Sequence, residues 1–167
     1  MKTIVLTGMM GAGKSTVANF LGEKLNIKTI DIDTIIEEQE NAKISDIFQN
    51  KGEQYFRTLE KEIIEKTFIP NNLIISLGGG ALENTQSKNF LLKNATVIYL
   101  KASPKVIFER IKDDKSRPLL CDNMSVEKIE EILLKREQNY QSASMIVETD
   151  NKSIEQITEE IIGALQW

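Results

Sequence analysis

The chain has 167 residues, a net charge of -4, 41% hydrophobic and 28% charged side chains. That is the length of one domain able to bury a sizeable core, and its acidic balance argues against a broad nucleic-acid footprint, so any anion site has to be local. With no histidine and a single cysteine, Cys121, imidazole catalysis, histidine metal sites and an internal disulfide are closed off, and a reducing compartment fits.

The opening residues run straight into a strand pattern with no signal-peptide layout, and no apolar run is long enough to span a bilayer. The expectation is a cytoplasmic enzyme or switch without a membrane partner. Thr3 to Thr7 read as an apolar strand, and Gly8-Met9-Met10-Gly11-Ala12-Gly13-Lys14-Ser15-Thr16 as a glycine-rich turn opening a helix. Gly8, Gly13, Lys14 and Ser15 fit the G-x-x-x-x-G-K-[ST] phosphate loop. Such a loop curls backbone N–H groups around an anion, and the helix that follows offers unpaired N–H groups and a positive dipole end. Lys14 can reach the terminal phosphates, and the Ser15 hydroxyl can ligate Mg²⁺. An ordinary glycine turn is the alternative; the agreement of strand, loop and helix context with the spacing disfavours it.

Val17, Leu21 and Leu25 give the first helix an apolar stripe. A strand is expected at Lys28–Ile32, ending in Asp31-Ile32-Asp33, then short helices at Ile35–Glu38 and Ser45–Asn50 and a longer one at Glu53–Thr67. Pro70-Asn71-Asn72 reads as a turn, Leu73–Leu77 as a buried strand ending in Gly78-Gly79-Gly80, Thr85–Leu92 as a helix and Thr96–Leu100 as a strand. Ser103-Pro104 starts a helix. The charged stretch from Lys112 to Pro118 follows, then a helix from about Ser125 to Asn139, a short strand Met145–Val147, and a last helix whose start carries a Ser153/Gln156 capping box. Strict alternation of strand and helix predicts an α/β domain with a mostly parallel sheet, whose ligands sit at the carboxyl ends of the strands.

Residues at those ends carry the candidate chemistry. Asp31 and Asp33, two apart on a strand, point the same way. Either they are two solvated loop carboxylates, or Asp31 supports an Mg²⁺ shell through water while Asp33 accepts a hydrogen bond from an acceptor hydroxyl and helps deprotonate it. Many phosphate-loop proteins carry a metal-shell aspartate where this chain has Gly78-Gly79-Gly80, which leaves Asp31 as the better metal candidate. The three glycines are either a flexible turn or a place of close backbone approach to a ligand. Arg57 and Glu60, three apart on a helix, are either a surface ion pair worth under about 1 kcal/mol, which spacing alone favours, or a pair in which Glu60 orients Arg57 toward an anionic substrate. Arg136 falls on the stripe of Val126, Ile129, Leu133 and Tyr140. A guanidinium there either snorkels outward or faces a cleft and binds a carboxylate, which its planar fork suits. Arg117, in the charged stretch, reads as part of a solvated loop from composition alone; in phosphoryl-transfer enzymes such loops can close over the nucleotide.

Taken in order, the phosphate loop, Asp31-Ile32-Asp33, Ile47-Phe48, Gly52-Glu53, Phe56-Arg57, Ser76-Leu77-Gly78-Gly79-Gly80, Arg117-Pro118-Leu119-Leu120 and Lys135-Arg136 with Tyr140 resemble the shikimate kinase family over nearly the whole chain. The resemblance implies a P-loop, nucleoside-monophosphate-kinase-like three-layer fold. It would be a single domain over 1–167 with a five-stranded parallel sheet in the order 2-3-1-4-5, a mobile lid at about 112–124 and substrate-binding helices at about 33–60. It implies transfer of the ATP γ-phosphoryl to the 3-hydroxyl of shikimate, with Mg²⁺ as cofactor, by a cytoplasmic monomer. Residue by residue, it implies ATP binding by Gly11, Ala12, Gly13, Lys14, Ser15, Thr16, Arg110 and Arg117, and metal binding by Ser15 and Asp31. Shikimate would be held by Asp33, Arg57, Gly78, Gly79, Gly80 and Arg136, with catalysis by Lys14, Asp33 and Arg117. The family also sets a segment after the last strand, here about 148–153, against adenine; a proline common there is Ser153 in this chain.

Other readings are a kinase for gluconate or a nucleoside monophosphate, a GTPase-type switch, and a pseudokinase-like binding module. Switches carry N-K-x-D, and Asn151-Lys152-Ser153-Ile154 lacks its aspartate. Lys14, Ser15, Asp31 and Asp33 together disfavour a module without turnover.

Overall fold

The computed structural model describes residues 2–112 and 125–165. The apolar run Ile4–Thr7 forms β1, and its phosphate loop leads into α1 (Lys14–Leu25). Then come β2 (Lys28–Asp31), α2 (Ile32–Glu40), α3 (Ile44–Thr67), β3 (Leu73–Ser76), a 3₁₀ turn at Ala81–Glu83, α4 (Thr85–Asn94), β4 (Thr96–Lys101), α5 (Pro104–Ile111), α6 (Val126–Tyr140), β5 (Met145–Glu148) and α7 (Ile154–Ala164). The strands form one sheet in the order β2-β3-β1-β4-β5, and every pairing is parallel. This is the expected three-layer P-loop fold. β1 and β3 are buried along their whole length, as strands covered by helices on both faces must be.

Register positions the site. Val5 lies opposite Ile75 on one side and Val97 on the other, so the strands end nearly level and their following loops share one edge. Asp31 lies opposite Ser76, which sets a carboxylate beside a hydroxyl at that edge. Among the described residues no helix is long and apolar enough to cross a membrane.

Two local expectations change. The strand β2 stops at Asp31, and Ile32 already begins α2. The Asp31 side chain caps that helix, accepting from the Thr34 N–H at 3.2 Å. Asp33 is therefore a first-turn helix residue, so strand alternation is not what brings the two carboxylates to one place; a helix N-cap and first turn do. The separate helices expected before and after residue 52 join as α3 across a kink at Gly52, whose φ of 82° and ψ of 166° leave helical space. The lid expectation, with Arg117 and Cys121, falls on residues 113–124 and lies outside the described residues.

At the far end of the chain, Ser153 starts α7 through a full capping box: its hydroxyl accepts from the Gln156 N–H, and its own N–H donates to Gln156 Oε1 at 2.9 Å. A proline at 153 has no N–H for the second bond.

Candidate active site

The loop after β1 ends at Gly13, which takes φ 91° as the N-cap of α1 and supplies no side-chain cap. The start of α1 thus turns the positive end of its dipole toward the loop, where an anion is favoured. Lys14 Nζ folds over the loop and donates to the Gly8 and Met9 carbonyls at 3.0 and 3.1 Å. The Ala12 N–H turns back to the Met9 carbonyl, and Ala12 itself is buried. Arg110 of α5 reaches the same loop, its Nη1 donating to the Gly11 carbonyl at 3.2 Å.

Beside the loop, the Ser15 hydroxyl donates to Asp31 Oδ2 and lies 3.2 Å from Ser76 Oγ. These are hard oxygen donors at the mouth of a phosphate loop, the donor type Mg²⁺ takes. The sequence names Ser76 only as the start of the run Ser76-Leu77-Gly78-Gly79-Gly80 and gives it no site role; its position opposite Asp31 on β3 is a matter of register.

Across the edge, the glycine run after β3 meets four charged side chains. A Cβ built on Gly78 would come within 2.7 Å of both Asp33 Oδ1 and Glu60 Oε1, and one on Gly80 would strike the Arg57 guanidinium. One on Gly79 would lie 3.3 Å from the Met10 nitrogen and 3.4 Å from Arg136 Nη1. The run is therefore a bare backbone floor on which these side chains rest. Met10, Lys14, Ser15, Asp31, Asp33, Arg57, Gly78–Gly80, Arg110 and Arg136 line a single cleft of about 700 Å³, with Ile44, Phe48 and Phe56 as an apolar wall. Residues 148–153 do not line it; the Asp150 carboxylate instead accepts from the Ser103 N–H at 3.0 Å.

The arginine pairs differ from what spacing suggests. Arg57 Nη1 donates to Glu60 Oε2 at 2.8 Å, and Glu60 is 2% exposed. This is a buried pair, and the surface reading is corrected. Glu60 follows Phe56 by four and precedes Ile63 and Ile64 by three and four, so it sits on the apolar face of α3. A carboxylate on an apolar stripe is the signal that was available. Burial pushes Glu60 up to about 7 against the pull of Arg57. Burial alone would lower the Arg57 guanidinium, and the Coulomb attraction and hydrogen bond of Glu60 outweigh it, holding it above its ordinary value. Arg136 is 4% exposed and faces the cleft, with Nη2 3.5 Å from Glu83 Oε2, so it does not snorkel outward.

One helical turn beyond Arg136, the fully buried Tyr140 donates its hydroxyl to the Gly79 carbonyl. Burial raises this phenol to about 12, so it stays a donor. Its ring stacks on Tyr99 at 4.8 Å between centroids, and the Tyr99 hydroxyl donates to Glu137 Oε2 at 3.0 Å. The sequence marks Tyr140 as a member of an apolar stripe and of the family pattern with Lys135-Arg136, without a role of its own.

A family model described as shikimate kinase matches residues 10–166. The chain is 44% identical over 166 residues to the shikimate kinase of Sulfurihydrogenibium sp. (strain YO3AOP1), covering 99% of each protein. It is 43% identical to that of Persephonella marina, covering 99% of this chain and 100% of the relative. A shikimate kinase from Acinetobacter baumannii in complex with shikimate superposes with a TM-score of 0.95 at 31% identity, over 99% of this chain and 93% of that one. The Aquifex aeolicus enzyme superposes with a TM-score of 0.85 at 34% identity, over 98% and 96%.

Proposed function

The chain belongs to the shikimate kinase family, and on that premise we propose how its cleft transfers the γ-phosphoryl of ATP to the 3-hydroxyl of shikimate, giving ADP and shikimate 3-phosphate. The observation that carries the reading is the position of Gly79, which lies between the phosphate loop at Met10 and the Arg136 guanidinium. A phosphate-binding half and an anion-binding half thus face each other across one residue.

The open N-terminus of α1, with Lys14 and the Gly11–Thr16 backbone, holds the ATP phosphates. Arg110, and Arg117 from outside the described residues, add positive charge on the nucleotide side. Arg57 and Arg136 fix the shikimate carboxylate, and the wall of Ile44, Phe48 and Phe56 packs against its ring. Asp33 and the Gly78–Gly80 backbone hold the hydroxyl side. Asp33 accepts the proton of the 3-hydroxyl as its oxygen attacks the γ-phosphorus, and the bond to the ADP oxygen breaks in line. Mg²⁺, held by the Ser15 hydroxyl and through water by Asp31, would neutralise charge on the β- and γ-phosphates. Among the described residues no group of three or more acidic, Cys or His side chains forms a metal cage, and a magnesium ion bound mainly by substrate phosphates and water needs none. The enzyme works as a monomer of one domain in the cytoplasm, with residues 33–60 as its substrate-binding helices and with a lid at about 112–124, nearly all of it outside the described residues.

An acceptor panel tests this. With ATP and Mg²⁺, ADP release should depend on shikimate and not on gluconate or a nucleoside monophosphate. Release driven by either of those, with shikimate inert, overturns the assignment of the acceptor half.

A further inference from the structure

The glycine floor has no side chains with which to hold itself, so its backbone bonds decide its shape. The Leu77 N–H donates to the Leu6 carbonyl at 3.0 Å, tying the start of the run to β1. The Gly78 and Gly80 carbonyls accept from the Ala81 and Glu83 N–H groups of the 3₁₀ turn, at 3.2 and 3.0 Å. The middle carbonyl, Gly79, is held by a side chain: the Tyr140 hydroxyl. That tyrosine is four residues after Arg136 on α6, so one helix face delivers both an arginine to the cleft and the donor that fixes the floor beneath it.

Geometry gives this bond reach. In a trans peptide the carbonyl and the following N–H point in opposite directions. Anchoring the Gly79 carbonyl toward α6 turns the Gly80 N–H the other way. It also fixes the plane that sets Gly79 against Met10 and Arg136, and Gly80 against Arg57. A Gly-Gly peptide turns over at little steric cost, so without an anchor the floor has alternatives in which the two arginines no longer converge.

We propose that Tyr140 is a positioning residue for the acceptor: through the Gly79 carbonyl it locks the glycine run in the one orientation in which Arg57 and Arg136 both meet the acceptor carboxylate. The inference rests on the reading of this cleft as the shikimate site. It does not concern ATP, because the phosphate loop keeps its own bonds to Lys14 and Arg110.

A matched pair of variants tests it. Tyr140→Phe and Tyr99→Phe each remove one buried hydroxyl from the same stacked pair, but only the Tyr140 hydroxyl touches the floor, where it also lies beside the Arg136 guanidinium. Both should lower Tm by a similar amount, roughly 2–6 °C. Only Tyr140→Phe should raise the shikimate KM, and its Kd by calorimetry, by about 10-fold, with the ATP KM unchanged. In the wild-type chain, exchange of the Tyr140 hydroxyl proton, read by NMR, should slow on adding shikimate and not on adding ADP alone. Equal shikimate Kd values for the two variants, or no slowing with shikimate, overturn the role of Tyr140. No uptake of shikimate by the wild-type chain overturns the reading of the whole cleft instead.

Discussion

Arg57 and Glu60 stand one turn apart on α3 and share a 2.8 Å hydrogen bond inside the protein, with the second Glu60 oxygen lying over Gly78 close to Asp33. Glu60 is faced by Arg57 from its own helix, Asp33 from α2 and Arg136 from α6. Removing a carboxylate from water costs more than these arginines return, so it titrates near 7, above its ordinary 4.5. A raised folded-state value means that the folded chain binds the proton more tightly. The stability this gives is full below about 4.5 and is lost as pH rises through about 7. Between pH 5 and pH 8 the wild type should therefore lose on the order of 1–3 kcal/mol relative to Glu60→Gln, read by thermal unfolding. The same pH dependence in both proteins contradicts the raised value.

Asp33 carries the proposed proton transfer. Asp33→Asn keeps the shape and removes the acceptor, so kcat should fall by roughly 10²–10⁴-fold while ATP binding stays within a factor of about two. Single-turnover kinetics with calorimetric ATP binding separates the two effects. Unchanged kcat removes Asp33 as the base.

The two arginines should differ from Asp33 in which constant moves. Arg57→Ala and Arg136→Ala each take away a proposed charge-assisted partner of the acceptor carboxylate, and the shikimate KM should rise about 30-fold or more with the ATP KM little altered. Arg57→Lys should not restore it, because an ammonium lacks the planar fork with which Arg57 would bond Glu60 and the ligand together. An unaltered shikimate KM in Arg57→Ala counts against the clamp.

Much of the fold was legible because its signals are local. The strand order follows from a family pattern that the parallel pairings bear out, and Ser103-Pro104 and Ser153/Gln156 mark helix starts that the structure keeps. What was not legible is tertiary. Spacing fixes that Arg57 and Glu60 are neighbours, but only the packing of α3 makes their bond a buried one. Register alone brings Ser76 to Ser15. The turn of chain at Asp31 looked like strand continuation because Ile32 suits either state, and the N-cap bond to Thr34 decides for helix. Tyr140 shows the limit most clearly: a stripe position announces burial, and nothing in the spacing announces which carbonyl its hydroxyl meets.

Ser153 gives a prediction away from the cleft. Ser153→Pro removes the hydroxyl that caps the Gln156 N–H and the N–H that returns to Gln156 Oε1. It should cost about 1 kcal/mol of stability, read by thermal unfolding, and leave the shikimate KM unchanged. A changed shikimate KM would tie this turn to the acceptor half and contradict the division of the cleft into a nucleotide side and an acid side.

One cleft joining a phosphate-loop donor half to an acid-binding acceptor half should make ATP turnover depend on shikimate. Coupled ADP release with ATP and Mg²⁺, run with and without shikimate and with the product read by ³¹P NMR, measures that dependence. The expected result is one ADP per shikimate consumed and a single phosphate ester at the 3-hydroxyl, with little release when shikimate is left out. ADP release that ignores shikimate, or an ester at another hydroxyl, contradicts it.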